Sequence, residues 1–243
     1  MVMEVNGYKI EPGAVLTCAD FTAADLTEAN LTEANLEGAS LNRANLSGAT
    51  LNRANMTGSY LILADLKNAK FHSADMHGTN LTGANLTDAK LSGANLERSN
   101  LRGASLSGAD LCEANLEGAN LEGANLTDAN LCGAKLNGAN LEGANLTDAN
   151  LRSAKLIGAY LRGANLERAS MLGAILINAD LMDANLSGAN LPGARLFGTN
   201  LFCANLTNAN LNGANLSEAN LSEACLEGAR LSRALMPDGS RHD

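Results

Sequence analysis

The sequence predicts an all-β solenoid, a four-sided parallel β-helix of about 11 coils with four five-residue units per coil. Three observations carry this. A five-residue unit runs without insertion from Ala14 to Asp238, giving 45 units. Its central position, i, is Leu in 39 of them, the exceptions being Phe21, Met56, Phe71, Met76, Met171 and Met236. Position i−2 is Ala in 41, and 21 of the 24 glycines fall at i+2.

A period of five fits no simple element. Successive Leu residues on an α-helix would advance about 500° and spiral around the axis. On a straight strand an odd period throws alternate Leu side chains to opposite faces. A short extended piece followed by a corner resolves both difficulties. Positions i−2 and i then point inward together, while i−1, i+1 and i+2 face outward. With i+1 and i+2 at the centre of a type II turn, i+2 needs φ > 0, which glycine adopts without steric cost. One corner per unit closes a square after 20 residues, and stacking at about 4.8 Å gives a rod roughly 54 Å long.

Numbering the four faces by unit order from Ala14 supports the 20-residue coil. The four exceptions to Ala at i−2, Ser59, Thr79, Ser99 and Thr199, all fall on face 2. That placement predicts an internal hydroxyl ladder along one side. Residues 1–13 read as an N-terminal cap, with Val5, Tyr8 and Ile10 over the first layer and Pro12-Gly13 as the leading turn. Residues 14–238 form the uninterrupted helix, and 239–243 a C-terminal tail that leaves the last layer poorly covered.

Composition narrows the function classes. Aromatics make up 3% and Trp is absent, so the core is built from small repeated layers rather than large rings. The formal net charge of −9 disfavours direct nucleic-acid binding by phosphate neutralisation. No basic segment leads into an apolar run, and none is long enough to span a bilayer. Five cysteines, an odd number, without secretory features indicate reduced thiols and a cytoplasmic setting. Cys112 and Cys132 lie 20 residues apart at i+1 on face 4 and are expected to stack as thiols.

Catalytic chemistry is not visible. His72 and His77 lack a carboxylate or Cys cluster for a metal, and His242 lies in the tail. No Ser or Thr sits in a nucleophile elbow, and no glycine run opens a helix to cradle phosphate. A filled convex rod has no cavity of the usual kind. The expectation is a protein that is not an enzyme and holds no cofactor and no metal.

The units A-N-L-T-D, A-N-L-E-G and A-D-L-T-E resemble those of pentapeptide-repeat proteins, over about 225 residues. The tail Met236-Pro237-Asp238-Gly239-Ser240 resembles the ends of cyanobacterial members. The resemblance implies a right-handed quadrilateral β-helix, a capped N-terminus and head-to-head or tail-to-tail dimers. It implies no single function: similar proteins shield DNA gyrase by imitating DNA, regulate cell differentiation through protein contacts, or have no known role.

Information specific to this chain therefore lies on its surface. Face 3 carries Asp25, Glu28, Asp65, Asp88, Asp128, Asp148, Glu167 and Glu227 against Lys67 and Arg168, net −6. Face 4 is net +3, with Arg53, Lys70, Lys90, Arg152, Arg230 and Arg233 against Glu33, Asp110 and Glu113. An apolar cluster breaks the polar pattern on faces 1 and 2: Ile157, Tyr160, Ile175, Ile177, Met182, Phe197 and Phe202. A smaller one holds Tyr60, Ile62 and Leu63 on face 2. Contiguous exposed apolar groups mark interfaces. The expected function is thus a protein–protein interaction or regulatory scaffold with an unidentified partner, Phe197 and Phe202 acting as anchors. Homodimerisation through the patch or the C-terminal end is a further expectation. The alternatives are a DNA-mimicking modulator of gyrase or topoisomerase acting through the acidic face, and a structural repeat protein without defined activity.

Overall fold

Every unit disposes of its backbone polar groups in the same way, and that uniformity builds the fold. In the computed structural model, which describes residues 3–243, the N–H of residue i donates to the i−1 carbonyl one coil on, as from Leu16 to Asn35 at 2.7 Å. The N–H of i−1 donates back to the i−2 carbonyl of the preceding coil, as from Asn35 to Ala14 at 2.9 Å. The N–H of i+2 reaches forward again, as from Cys18 to Glu37 at 2.8 Å. Each corner closes on itself: Ala19 donates to the Leu16 carbonyl at 3.0 Å, a β-turn centred on i+1 and i+2. Parallel bridges therefore join residues 20 apart, from Val15–Asn35 to Asn215–Leu235, and four units complete one coil.

The corners do not depend on glycine. From Cys18 to Arg233, residue i+2 lies at positive φ whatever its type: 64° at Gly38, 57° at Arg53, 58° at Asp148. A left-handed conformation costs an ordinary residue roughly 1 kcal/mol. The intercoil bonds on either side of each corner hold it there.

The fifth donor, the N–H of i+1, accounts for Asn and Asp at i−1. The side-chain Oδ1 accepts it within the same unit, as at Asn125–Thr127 (3.1 Å) and Asp25–Thr27 (3.0 Å). The free amide end then bonds along the rod, as from Asn55 Nδ2 to Asn35 Oδ1 at 3.2 Å. A compensating rule covers gaps in that column. Asn occurs at i+1 only at Asn42, Asn52, Asn137 and Asn212. One coil on from each, the i−1 residue is not Asn or Asp but Tyr60, Lys70, Lys155 or Arg230. The four Oδ1 atoms accept the N–H groups stranded there, at Ile62, His72, Ile157 and Ser232, over 2.9–3.1 Å.

The core is a stack of Leu and Ala layers, almost all without solvent contact. The predicted internal hydroxyls are in place, Ser59, Thr79 and Ser99 buried on successive rungs of face 2, but they do not bond to one another. Thr79 and Thr199 donate to the carbonyls of Met56 and Leu176, and Ser99 to that of Leu96, each taking the nearest backbone acceptor instead of another hydroxyl. Ser59 Oγ is buried with no partner among the described residues.

At the N-terminal end, β1 (Met3–Val5) and β2 (Tyr8–Ile10) form an antiparallel hairpin. Ile10 is buried, Tyr8 packs on Phe21 with ring centroids 5.3 Å apart, and Pro12-Gly13 forms the predicted turn into the first coil. At the other end the tail turns back, Arg241 pairing antiparallel with Leu235. No helix long and apolar enough to cross a membrane is present among the described residues.

Candidate interaction surface

Stacking in register turns isolated outward residues into columns. Ile157, Ile177 and Phe197 occupy i+1 on face 1 in three successive rungs, and their carbonyls accept from residues 138, 158 and 178 at 2.9 Å. Around one corner, Tyr160, Met182 and Phe202 continue the surface on face 2. Ile157, Tyr160 and Phe197 are 42%, 52% and 36% exposed, enough for direct contact with a partner, whereas Ile175, Ile177, Met182 and Phe202 are half-buried. The seven residues thus form one patch with three prominent members.

The backbone beneath it is also unusual. Lys135, Lys155, Ile175 and Arg195 occupy i−1 on four consecutive rungs of face 1, interrupting the Asn/Asp column that satisfies the i+1 donors. Asn137 rescues Ile157, but the N–H groups of Ile177 and Phe197 have no acceptor among the described residues. Lys135, Lys155 and Arg195 are exposed and enter no ion pair among those residues. Apolar side chains, free donors and positive charge therefore lie together. On face 2, Arg162 bridges Asp180 at 2.5 Å. Burial opposes ionisation of Asp180, but the bonds from Arg162, the Met182 N–H and Asn200 outweigh it and hold its carboxyl below the usual range.

The acidic residues of face 3 are less united. Asp25 and Asp65 lie at i−1 and accept turn N–H groups from Thr27 and Lys67. Glu167 and Glu227 lie at i+1, and Glu28, Asp88, Asp128 and Asp148 at the corner. Only Asp128 and Asp148 stack on successive rungs. The next corner residue is Arg168, which grips Asp148 through Nε and Nη2 at 2.8 and 2.7 Å and also contacts Glu167. Its hydrogen bonds hold the Asp148 carboxyl below the usual range.

Elsewhere, His72 Nδ1 meets Ser92 Oγ at 3.0 Å. No cluster of three or more metal-ligating side chains occurs among the described residues. Cys112 and Cys132 are free and half-buried, and burial, then the neighbouring Cys132, raises the Cys112 thiol. A cavity of about 470 Å³ lies beside the hairpin, between Met3, Ile10, Pro12 and the corner Thr27–Asn30.

The family profile described as pentapeptide repeats matches residues 19–58, 51–88, 89–128, 124–163, 159–198 and 199–236. No curated protein matches the chain. Among solved structures, HetL, a pentapeptide repeat protein involved in heterocyst differentiation regulation in the cyanobacterium Nostoc sp. strain PCC 7120, is 37% identical over 92% of each chain, with a TM-score of 0.35. A trypsin-treated form of QnrB1, a plasmid-mediated fluoroquinolone resistance protein, is 21% identical over 81% of this chain and 88% of its own, with a TM-score of 0.51. A pentapeptide repeat protein of the Arabidopsis thaliana thylakoid lumen is 35% identical over 40% of this chain and 68% of its own, with a TM-score of 0.40.

Proposed function

The chain belongs to the pentapeptide-repeat family, and from that premise we propose that it is a non-enzymatic, cytoplasmic protein-binding scaffold whose contact surface is the faces 1–2 patch. In this reading the rod is right-handed, with about 11 coils of four units. One observation carries the proposal: the Ile157–Ile177–Phe197 column, flanked by Lys135, Lys155 and Arg195, cations in no ion pair among the described residues. On a chain of net charge −9 this is a local positive, apolar strip. It suits a partner that offers apolar side chains beside carboxylates, with the aromatic ring as anchor.

The second reading, a DNA-mimicking modulator of gyrase or topoisomerase, draws support from Asp128 and Asp148 stacked on face 3. It is weakened by Arg168 on the following rung and by the basic residues of face 4. The test compares proteins captured from native extract by the wild-type rod and by Ile177→Glu/Phe197→Glu, with circular dichroism confirming the coil in both. Partners held by the wild type and shed by the variant support the scaffold. An identical captured set overturns it, and altered DNA supercoiling by gyrase in the presence of either protein favours the second reading.

A further inference from the structure

Face 2 carries two apolar groups, not one. Tyr60, Ile62 and Leu63 lie on one rung, with Tyr60 49% and Leu63 55% exposed. Tyr160 stands in the same column five rungs away, along the series of bridges Tyr60–Asn80–Asn100–Asn120–Asn140–Tyr160. We infer that face 2 is self-complementary and docks a second copy of this chain, antiparallel, about a two-fold axis midway between the Asn100 and Asn120 rungs. The inference rests on reading the patch as a contact surface and assigns the occupant of its face-2 side.

The geometry is restrictive. A two-fold axis in the contact plane and perpendicular to the rod reverses the rung order but keeps each column over its own counterpart. Tyr60 at i−1 then faces the second copy's Tyr160, also at i−1. Arg102 at i+1 faces Glu122 at i+1, and Thr82 faces Glu142, a hydroxyl beside a carboxylate. Arg43 at the corner faces Asp183 at the corner. From the Asp20 rung to the Asn200 rung, no like charges oppose each other. Sliding one rung either way breaks this: one shift sets Arg102 on Arg102, the other Glu122 on Glu122. Arg102 already bonds its own Glu122 at 3.2 Å, so the two pairs combine into a four-charge cluster at the axis.

Ten rungs at about 4.8 Å and a face about 10 Å wide give on the order of 500 Å² per copy. That lies at the small end of specific interfaces, the size class of weak and transient contacts. Paired Tyr rings on either side of the central charges supply the apolar anchors.

Sedimentation equilibrium of the full chain over a wide concentration range tests this. The wild type is expected to dimerise, and Arg43→Glu to weaken the dimer about tenfold or more by setting two acids together. Arg43 and Asp183 are seven rungs apart within one rod, about 34 Å, so they cannot meet in a monomer. Recovery of the dimer in Arg43→Glu/Asp183→Arg therefore reports the antiparallel register and nothing else. A monomeric wild type overturns the inference, and so does a dimer indifferent to Arg43→Glu, which places the contact elsewhere. Ile177 and Phe197 lie on face 1, so loss of partner capture in their variant and loss of the dimer here are separate outcomes.

Discussion

At the N-terminal end the outermost apolar layer is closed: Leu16, Phe21, Leu26 and Leu31 are at most 2% exposed beneath the hairpin. At the C-terminal end Leu221, Leu226 and Leu231, which fill the same inward positions, are only half-buried. The N–H groups of those three residues have no acceptor among the described residues, although each equivalent donor one coil earlier is bonded. The difference is one of reach. The hairpin crosses the layer and sets Ile10 over it, whereas the tail pairs beside Leu235 on face 1, reaches back only to the Arg233 corner of face 4, and leaves the Leu221, Leu226 and Leu231 strands unpaired on their outer side. A solenoid has no way to close its own end, because each coil is completed by the next. Closure must come from chain that leaves the repeat.

The comparison breaks most readily at Ile10. Ile10→Asp sets a carboxylate against the first layer and is expected to cost about 3–5 kcal/mol, through lost packing and an unpaired charge. Leu231→Asp changes an inward position of the last layer, but there the side chain reaches water, so about 1 kcal/mol is expected. Urea unfolding followed by circular dichroism measures both. Equal losses would mean that the C-terminal layer is as closed as the N-terminal one.

Between the ends the interior is satisfied almost everywhere, and Ser59 is where it is not. Its hydroxyl is buried without a partner among the described residues, and the carbonyl three residues back, Met56, already takes the Ser59 N–H at 3.0 Å and the Thr79 hydroxyl at 3.1 Å. Ser59→Ala restores the repeat residue and is expected to stabilise the rod by about 1 kcal/mol. Thr199→Ala serves as the opposite case, because Thr199 Oγ1 donates to Leu176 at 2.8 Å and its loss removes a buried bond. A gain in both variants, read as the shift in unfolding midpoint, would show that the hydroxyl bonds add nothing.

How much of this was legible follows from what the repeat constrains. The strand-and-corner unit and the 20-residue coil came from Leu, Ala and Gly spacing, because a period of five has few solutions. The apolar patch was legible because Ile157 and Phe197 break a polar pattern. The partners of the internal hydroxyls were not, since the choice between a neighbouring hydroxyl and a backbone carbonyl depends on distances of a few ångströms. The pairing of Asn42 with Ile62 was present as a pattern, but it emerges only once the i+1 N–H is known to need an acceptor. Asp148 read as one acid of the net-negative face 3, and the bidentate grip of Arg168 depends on a rotamer that spacing does not specify.

The smallest effect is chemical. Cys225 lies exposed in the open last coil, and Cys112 half-buried in the middle of the rod. The Thr207 hydroxyl, 3.3 Å away, and the Glu227 N–H hold the Cys225 thiol below its ordinary value of 9.0. Burial, then the adjacent Cys132, pushes Cys112 above that value. Only the thiolate attacks iodoacetamide, so a lower pKa gives more nucleophile at any pH below the titration range. Cys225 is expected to be alkylated several-fold faster than Cys112 near neutral pH, measured by peptide mass spectrometry. Both rates rise with pH, and that of Cys225 levels off first, so the ratio is widest at low pH and narrows as pH climbs. Accessibility alone gives a different signature, a ratio that does not change with pH. Equal rates for the two thiols would mean that the C-terminal coil is covered in solution, and covered by something other than its own tail.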